Sequence, residues 1–190
     1  MDKLAEPRRR LGYYEKRAIL ELCSPLYSWK RSLSMTDKPI NSKDNIEPTG
    51  IPSQSTTGKG AVFLIDSGII GETAPMVNIF MENLKDKGFR NMLKSQFIKY
   101  TDKCVENFLH GDMKNLFQNT KELSKVVLNN FKPMIPEQFH KVWQHGIDTN
   151  DYYLKLCGSG GGGYILGFTE DLEKAKASLA AYKLEVVYQF

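Results

Sequence analysis

The sequence predicts an α+β domain, on three observations. A short apolar run, Ala61–Ile65, reads as one buried strand. About eighty residues of helical periodicity follow it. Past residue 150 the pattern changes to short strands around a glycine run, with one more helix before a closing strand. Mixed helices on a largely antiparallel sheet is the architecture this order favours.

Each element has its own signal. Glycines precede Ala61–Ile65, and Asp66, Ser67 and Gly68 end it. Thr73 is expected to N-cap a helix with Pro75 in its first turn, running to about Asp86. Phe89, Met92, Leu93, Phe97, Tyr100, Cys104, Val105 and Phe108 recur at three- and four-residue spacing, which predicts a long amphipathic helix ending at Gly111. A third helix is expected over Asp112–Asn130 and a fourth from Pro136 to about Gly146. Strands are expected at Tyr152–Cys157, Tyr164–Phe168 and Lys183–Tyr188. Between the last two, a helix capped by Thr169 runs to about Leu179.

Composition excludes several classes. The chain is 41% hydrophobic and 11% aromatic, enough for a sizeable core. Its net charge of +4 is uneven: residues 1–31 carry 8 Lys/Arg and 4 Asp/Glu, and residues 32–190 carry 18 of each. A neutral body gives little support for nucleic-acid binding. No run approaches the ~20 apolar residues of a membrane span. Three widely spaced cysteines suit a reducing compartment, and the charged first residues show no signal peptide, so a cytoplasmic location is expected. Residues 1–45 lack sustained periodicity and read as a poorly specified arm; residues 46–190 read as the domain.

The strongest chemical signal is Lys155-Leu156-Cys157-Gly158-Ser159-Gly160-Gly161-Gly162-Gly163-Tyr164. Residues without a Cβ let backbone N–H groups approach an anion and form an amide nest. Phosphoryl transfer relies on such positioning and charge stabilisation. A plain tight connection or a flexible linker is the bland alternative. Ser53-Gln54-Ser55-Thr56-Thr57-Gly58-Lys59 looks superficially like a P-loop. It lacks the first glycine, carries Gly60 where Ser or Thr belongs, and precedes a strand rather than a helix, so it is set aside. His110, His140 and His145 have no partners at metal-ligand spacing, and no metal site is expected. Asp66 reads as a strand terminator and Cys157 as a non-nucleophile.

The glycine run resembles the third motif of the GHMP kinases, usually Lys-Leu-Thr-Gly-Ala-Gly-Gly-Gly-Gly, with Cys157 and Ser159 as small changes. Phe63-Leu64-Ile65-Asp66-Ser67-Gly68 followed by Thr73-Ala74-Pro75-Met76-Val77 resembles the mevalonate kinases. Ile69-Ile70-Gly71-Glu72 departs from the basic or small polar residues usual there. The resemblance implies a GHMP-kinase C-terminal-like domain: a ferredoxin-like, mostly antiparallel sheet with a helical insertion and the Gly-rich loop between two strands. It implies that Gly158, Ser159, Gly160, Gly161, Gly162 and Gly163 form a phosphate or substrate loop, with Thr73 on the substrate side. It implies ATP and Mg²⁺ as cofactors of a full enzyme acting on a small alcohol such as mevalonate. Phosphomevalonate kinase, homoserine kinase and diphosphomevalonate decarboxylase stay open as alternatives. The family's N-terminal Gly/Ser loop has no counterpart in the sequence, and its catalytic Asp and Mg²⁺-binding acid have no candidates in residues 1–60. The expectation is therefore no turnover by this chain alone, with a non-catalytic folded module as the other class. Apolar surface near Tyr152, Tyr164 and Phe168 is expected to lack cover and to favour a homo-oligomer.

Overall fold

In the computed structural model the described residues are 50–190. The expected 1–45 arm lies outside them. Four strands form one sheet: β1 (Ala61–Asp66), β2 (Tyr153–Leu156), β3 (Tyr164–Thr169) and β4 (Leu184–Gln189). Their spatial order is β2-β3-β1-β4, and every neighbouring pair is antiparallel. A helical stretch separates β1 from β2 and a short helix separates β3 from β4, which gives the β-α-β-β-α-β order of a ferredoxin-like sheet. The α+β class and the helical insertion read from the sequence are the observed ones.

β1 is central because it can be buried on both faces. Ala61, Val62, Phe63 and Ile65 are all within 1% of full burial. Phe63 pairs with Gly167 of β3, and a Cβ at Gly167 would run into the Phe63 ring. The glycine is thus a packing requirement in mid-strand. β4 is the exposed edge, with Glu185 and Val186 open to solvent.

The helices depart from the sequence reading in instructive ways. α1 spans Thr73–Asn83, and Thr73 opens the helix instead of capping it. The cap position belongs to Glu72, which is extended and makes no side-chain capping bond. The expected long helix is continuous over residues 87–110 but contains a wider turn: α2 (Lys87–Met92), a π-turn (Leu93–Phe97) and α3 (Ile98–His110). Leu93, Phe97 and Thr101, four residues apart, are all buried along this stretch. α3 ends at Gly111 in the left-handed conformation (φ 70°), as expected of a C-terminal glycine.

α4 (Met113–Asn130) is capped by Asp112, whose carboxylate accepts from the Asn115 N–H. α5 spans Phe139–Thr149 and does not stop at Gly146. Asn150, at φ 63°, ends it. Gly146 is internal because a Cβ there would strike Tyr152. α6 (Leu172–Ser178) is capped by Asp171, which accepts from the Lys174 N–H. Thr169, the expected cap, closes β3 instead and donates its hydroxyl proton to the Asp151 or Asp171 carbonyl.

The core joins these layers. α4 packs on β2 and β3, and α5 on β2. Trp143 of α5 is fully buried and donates its indole N–H to the Ser124 carbonyl of α4 at 3.1 Å. Phe131 is the hub of an aromatic cluster, with ring centroids 4.9 Å from Phe97 and 5.5 Å from Phe89. The expectation of uncovered sheet is corrected at Tyr152 and Phe168, which are buried, and met at Tyr164, which is 48% exposed. Among the described residues no helix is long and apolar enough to cross a membrane.

Candidate functional site

The β2–β3 connection sits where the sheet meets the start of the helical insertion. Its backbone needs glycine: Gly158 (φ 59°), Gly160 (78°), Gly161 (78°) and Gly163 (70°) are left-handed. Two different pressures act on them. A Cβ on Gly160 would stand 2.5 Å from the Met134 carbonyl oxygen, and one on Gly162 would stand 2.6 Å from that of Ile69. Those glycines are needed for close packing. Gly158 and Gly163 have nothing within 4 Å of an added Cβ, so there only the backbone conformation calls for glycine.

Three loop amides hold the loop itself in place. Gly160 N–H donates to the Cys157 carbonyl at 3.3 Å, Gly161 N–H to Met134 at 2.7 Å and Gly163 N–H to Ile69 at 2.8 Å. The Gly163 carbonyl accepts in return from Ser67 N–H at 2.9 Å. Gln138, at the start of α5, donates to the Ser67 carbonyl at 2.7 Å. The 67–71 segment, the Met134 turn and the glycine loop are therefore one pinned unit. The N–H groups of Gly158, Ser159 and Gly162 make no hydrogen bond among the described residues.

An open cleft of about 390 Å³ lies over this unit. It is lined by the loop residues Gly158, Ser159, Gly160, Gly162 and Gly163, by Thr73 and Gly71, and by Leu64, Cys157 and Tyr164. The structure thus brings Thr73, at the exposed first turn of α1, to the same cleft as the glycine loop. Gly161 is the one predicted loop residue outside the lining; it faces Met76. What sequence reasoning missed is the apolar wall of Leu64 and Tyr164. Leu64 and Tyr164 come to share a face of adjacent strands only through the β1–β3 register.

The lining holds no carboxylate, lysine, arginine or histidine. Its ionisable groups are Cys157 and Tyr164. Burial pushes the Cys157 thiol above its ordinary value, against an opposing pull from nearby Lys155. It is therefore a neutral thiol near pH 7, in keeping with the non-nucleophile reading. Magnesium does not fit these residues. The cleft offers no carboxylate, and among the described residues no three His, Cys, Asp or Glu side chains are grouped to hold a metal. Asp66 turns inward to its own chain and accepts from Gly68 N–H at 2.9 Å, which ends β1. His140 Nε2 lies 3.0 Å from the Ile135 carbonyl and 3.1 Å from that of Lys132, a local structural role. The P-loop look-alike is a packing feature. Gly60 exchanges backbone hydrogen bonds with Phe190, and a Cβ on Gly58 or Gly60 would run into Phe190.

The sheet order and the glycine connection between two antiparallel strands define an α+β domain with a ferredoxin-like sheet. Among solved structures, the chain is similar in fold to Streptococcus pneumoniae phosphomevalonate kinase, determined in complex with phosphomevalonate and AMPPNP. The TM-score is 0.55 and the identity 16%, over 73% of this chain and 41% of that one. This chain therefore spans well under two thirds of that relative's length. No protein-family model matches the sequence, and no curated protein does.

Proposed function

We propose that this chain is the phosphate-facing part of a GHMP-type, ATP-dependent kinase that phosphorylates a small molecule. The observation that carries the reading is the pinned glycine loop, with Gly158, Ser159 and Gly162 lining a cleft and their N–H groups without partners among the described residues. Amides held in fixed positions stabilise an anion with little reorganisation when it binds or when charge develops on it. Thr73 Oγ1 stands on the substrate side and supplies a hydroxyl that can donate to, or accept from, a substrate oxygen. Mevalonate is the first substrate to test; phosphomevalonate, the ligand of the structural neighbour, is the second, and homoserine the third.

The residues of this cleft contribute positioning: none of them is a carboxylate or a histidine, the commonest proton-transfer groups. The base and the metal-binding acid of such an enzyme would come from outside this lining. That same lining favours a second reading, a folded module without turnover. The experiment is an ATP-dependent phosphorylation assay of the purified 190-residue chain on the three substrates. No transfer above a heat-killed control is expected. Transfer that Gly161→Val abolishes would contradict the positioning-only role and place the missing groups within this chain.

A further inference from the structure

The cleft has two unlike walls. We propose that the second wall, Leu64 with Tyr164, determines specificity by holding the organic part of a small phosphorylated aliphatic molecule whose phosphate meets the loop amides. This deepens the kinase reading and rests on it for the anion end.

Tyr164 is the first residue of β3 and pairs with Asp66, while Leu64 pairs with Leu166. With side chains alternating along each strand, Tyr164 and Leu64 are diagonal neighbours on one face of the sheet. Both border the cleft that the glycines line. Among the described residues, Tyr164 is one of five large apolar side chains that stay exposed, and the only one of the five that lines the cleft. Its hydroxyl has no hydrogen-bond partner among the described residues. An aromatic ring with an apolar body and a polar tip is suited to a ligand that is itself part apolar and part polar.

The lining also says what the ligand's body is not. With no charged side chain in the lining, the part of the ligand held against this wall is uncharged, and any further ionic group, such as a carboxylate, lies outside the lining. The volume of about 390 Å³ lies near the lower end of the ~300–1,000 Å³ typical of ligand pockets. That is room enough for a short phosphorylated alcohol.

The test is calorimetric titration of the full chain with three probes: inorganic pyrophosphate, 3-methylbutyl phosphate and AMP. Wild type is expected to bind pyrophosphate and to bind 3-methylbutyl phosphate more tightly than AMP. Tyr164→Ala is expected to weaken 3-methylbutyl phosphate about tenfold while leaving pyrophosphate affinity unchanged, which also shows that the variant is folded. Tyr164→Phe keeps the ring and is expected to keep the affinity. Equal loss for both anions, or no loss for either, overturns the wall while the anion loop stands. Tighter binding of AMP overturns the assignment of an aliphatic ligand. Absence of pyrophosphate binding removes the anion loop itself, and the wall with it. If Tyr164→Ala unfolds, saturation transfer from the alkyl protons to the Tyr164 ring in wild type decides the matter: transfer supports the wall and its absence overturns it.

Discussion

Two glycine-rich stretches look alike on the page and do different things. In Thr57-Gly58-Lys59-Gly60 the glycines make room: Phe190 runs so close that a Cβ at Gly58 would meet its backbone and one at Gly60 its ring. Neither glycine has a positive φ. In Gly158–Gly163 four of the five glycines are left-handed, and the two at the ends, Gly158 and Gly163, have open space around them. The first stretch is about packing and the second largely about backbone shape. A glycine is informative about function only once these two demands are separated, and composition alone does not separate them.

Substitutions sharpen that contrast. Gly160→Val meets both demands at once, a left-handed backbone and the Met134 carbonyl. It should cost the most, roughly 2–5 kcal/mol in urea unfolding, from ~1–2 for the left-handed conformation and ~1–3 for overpacking. Gly58→Ala meets only the packing demand and should cost about 1–3 kcal/mol. Gly158→Ala meets only the backbone demand and should cost about 1–2 kcal/mol. Gly158→Asn should recover part of that loss, because asparagine tolerates this conformation, whereas Gly58→Asn should recover none. Equal rescue at both sites would break the comparison.

The smallest expected effect is on pH dependence. The folded Cys157 thiol ionises above its ordinary value, chiefly because it is buried. Between the ordinary thiol pKa of about 8.5 and the raised folded value, the unfolded chain has lost the proton that the folded chain keeps. Stability contributed by this group is therefore whole below pH ~8.5 and falls as pH rises through that window. Cys157→Ala should flatten the alkaline slope of urea-unfolding stability. Slow alkylation of Cys157 at pH 7, compared with a free thiol in the unfolded chain, checks the same point by a second route. A slope unchanged in Cys157→Ala would assign it to other groups, with Tyr153 a candidate because burial raises its pKa too.

Much of the fold could be read before the structure. The 3.6-residue stripes of α3 and α4 and the apolar run of β1 name their own elements, because burial of one face leaves a periodic record. Chain punctuation was harder. Gly146 looks like a helix stop, yet it is mid-helix because Tyr152 needs the space. Thr73 and Thr169 look like caps, but Glu72 and Asp171 hold those positions. The π-turn at Leu93–Phe97 leaves no mark of its own, since four-residue spacing also fits an ordinary helix. Of the cleft, the loop was legible from its motif, and Thr73 from its likeness to a family segment. The Leu64–Tyr164 wall was not, because it depends on the β1–β3 register, which only tertiary pairing fixes.

The loop's amides fall into two sets, and backbone amide NMR of the full chain titrated with pyrophosphate tests that division most directly. The N–H groups of Gly158, Ser159 and Gly162 should move, with saturation at a common ligand concentration. Those of Gly160, Gly161 and Gly163, already bonded to the Cys157, Met134 and Ile69 carbonyls, should move far less. Uniform shifts across all six, or none in the first set, would contradict the assignment of this loop as the anion site.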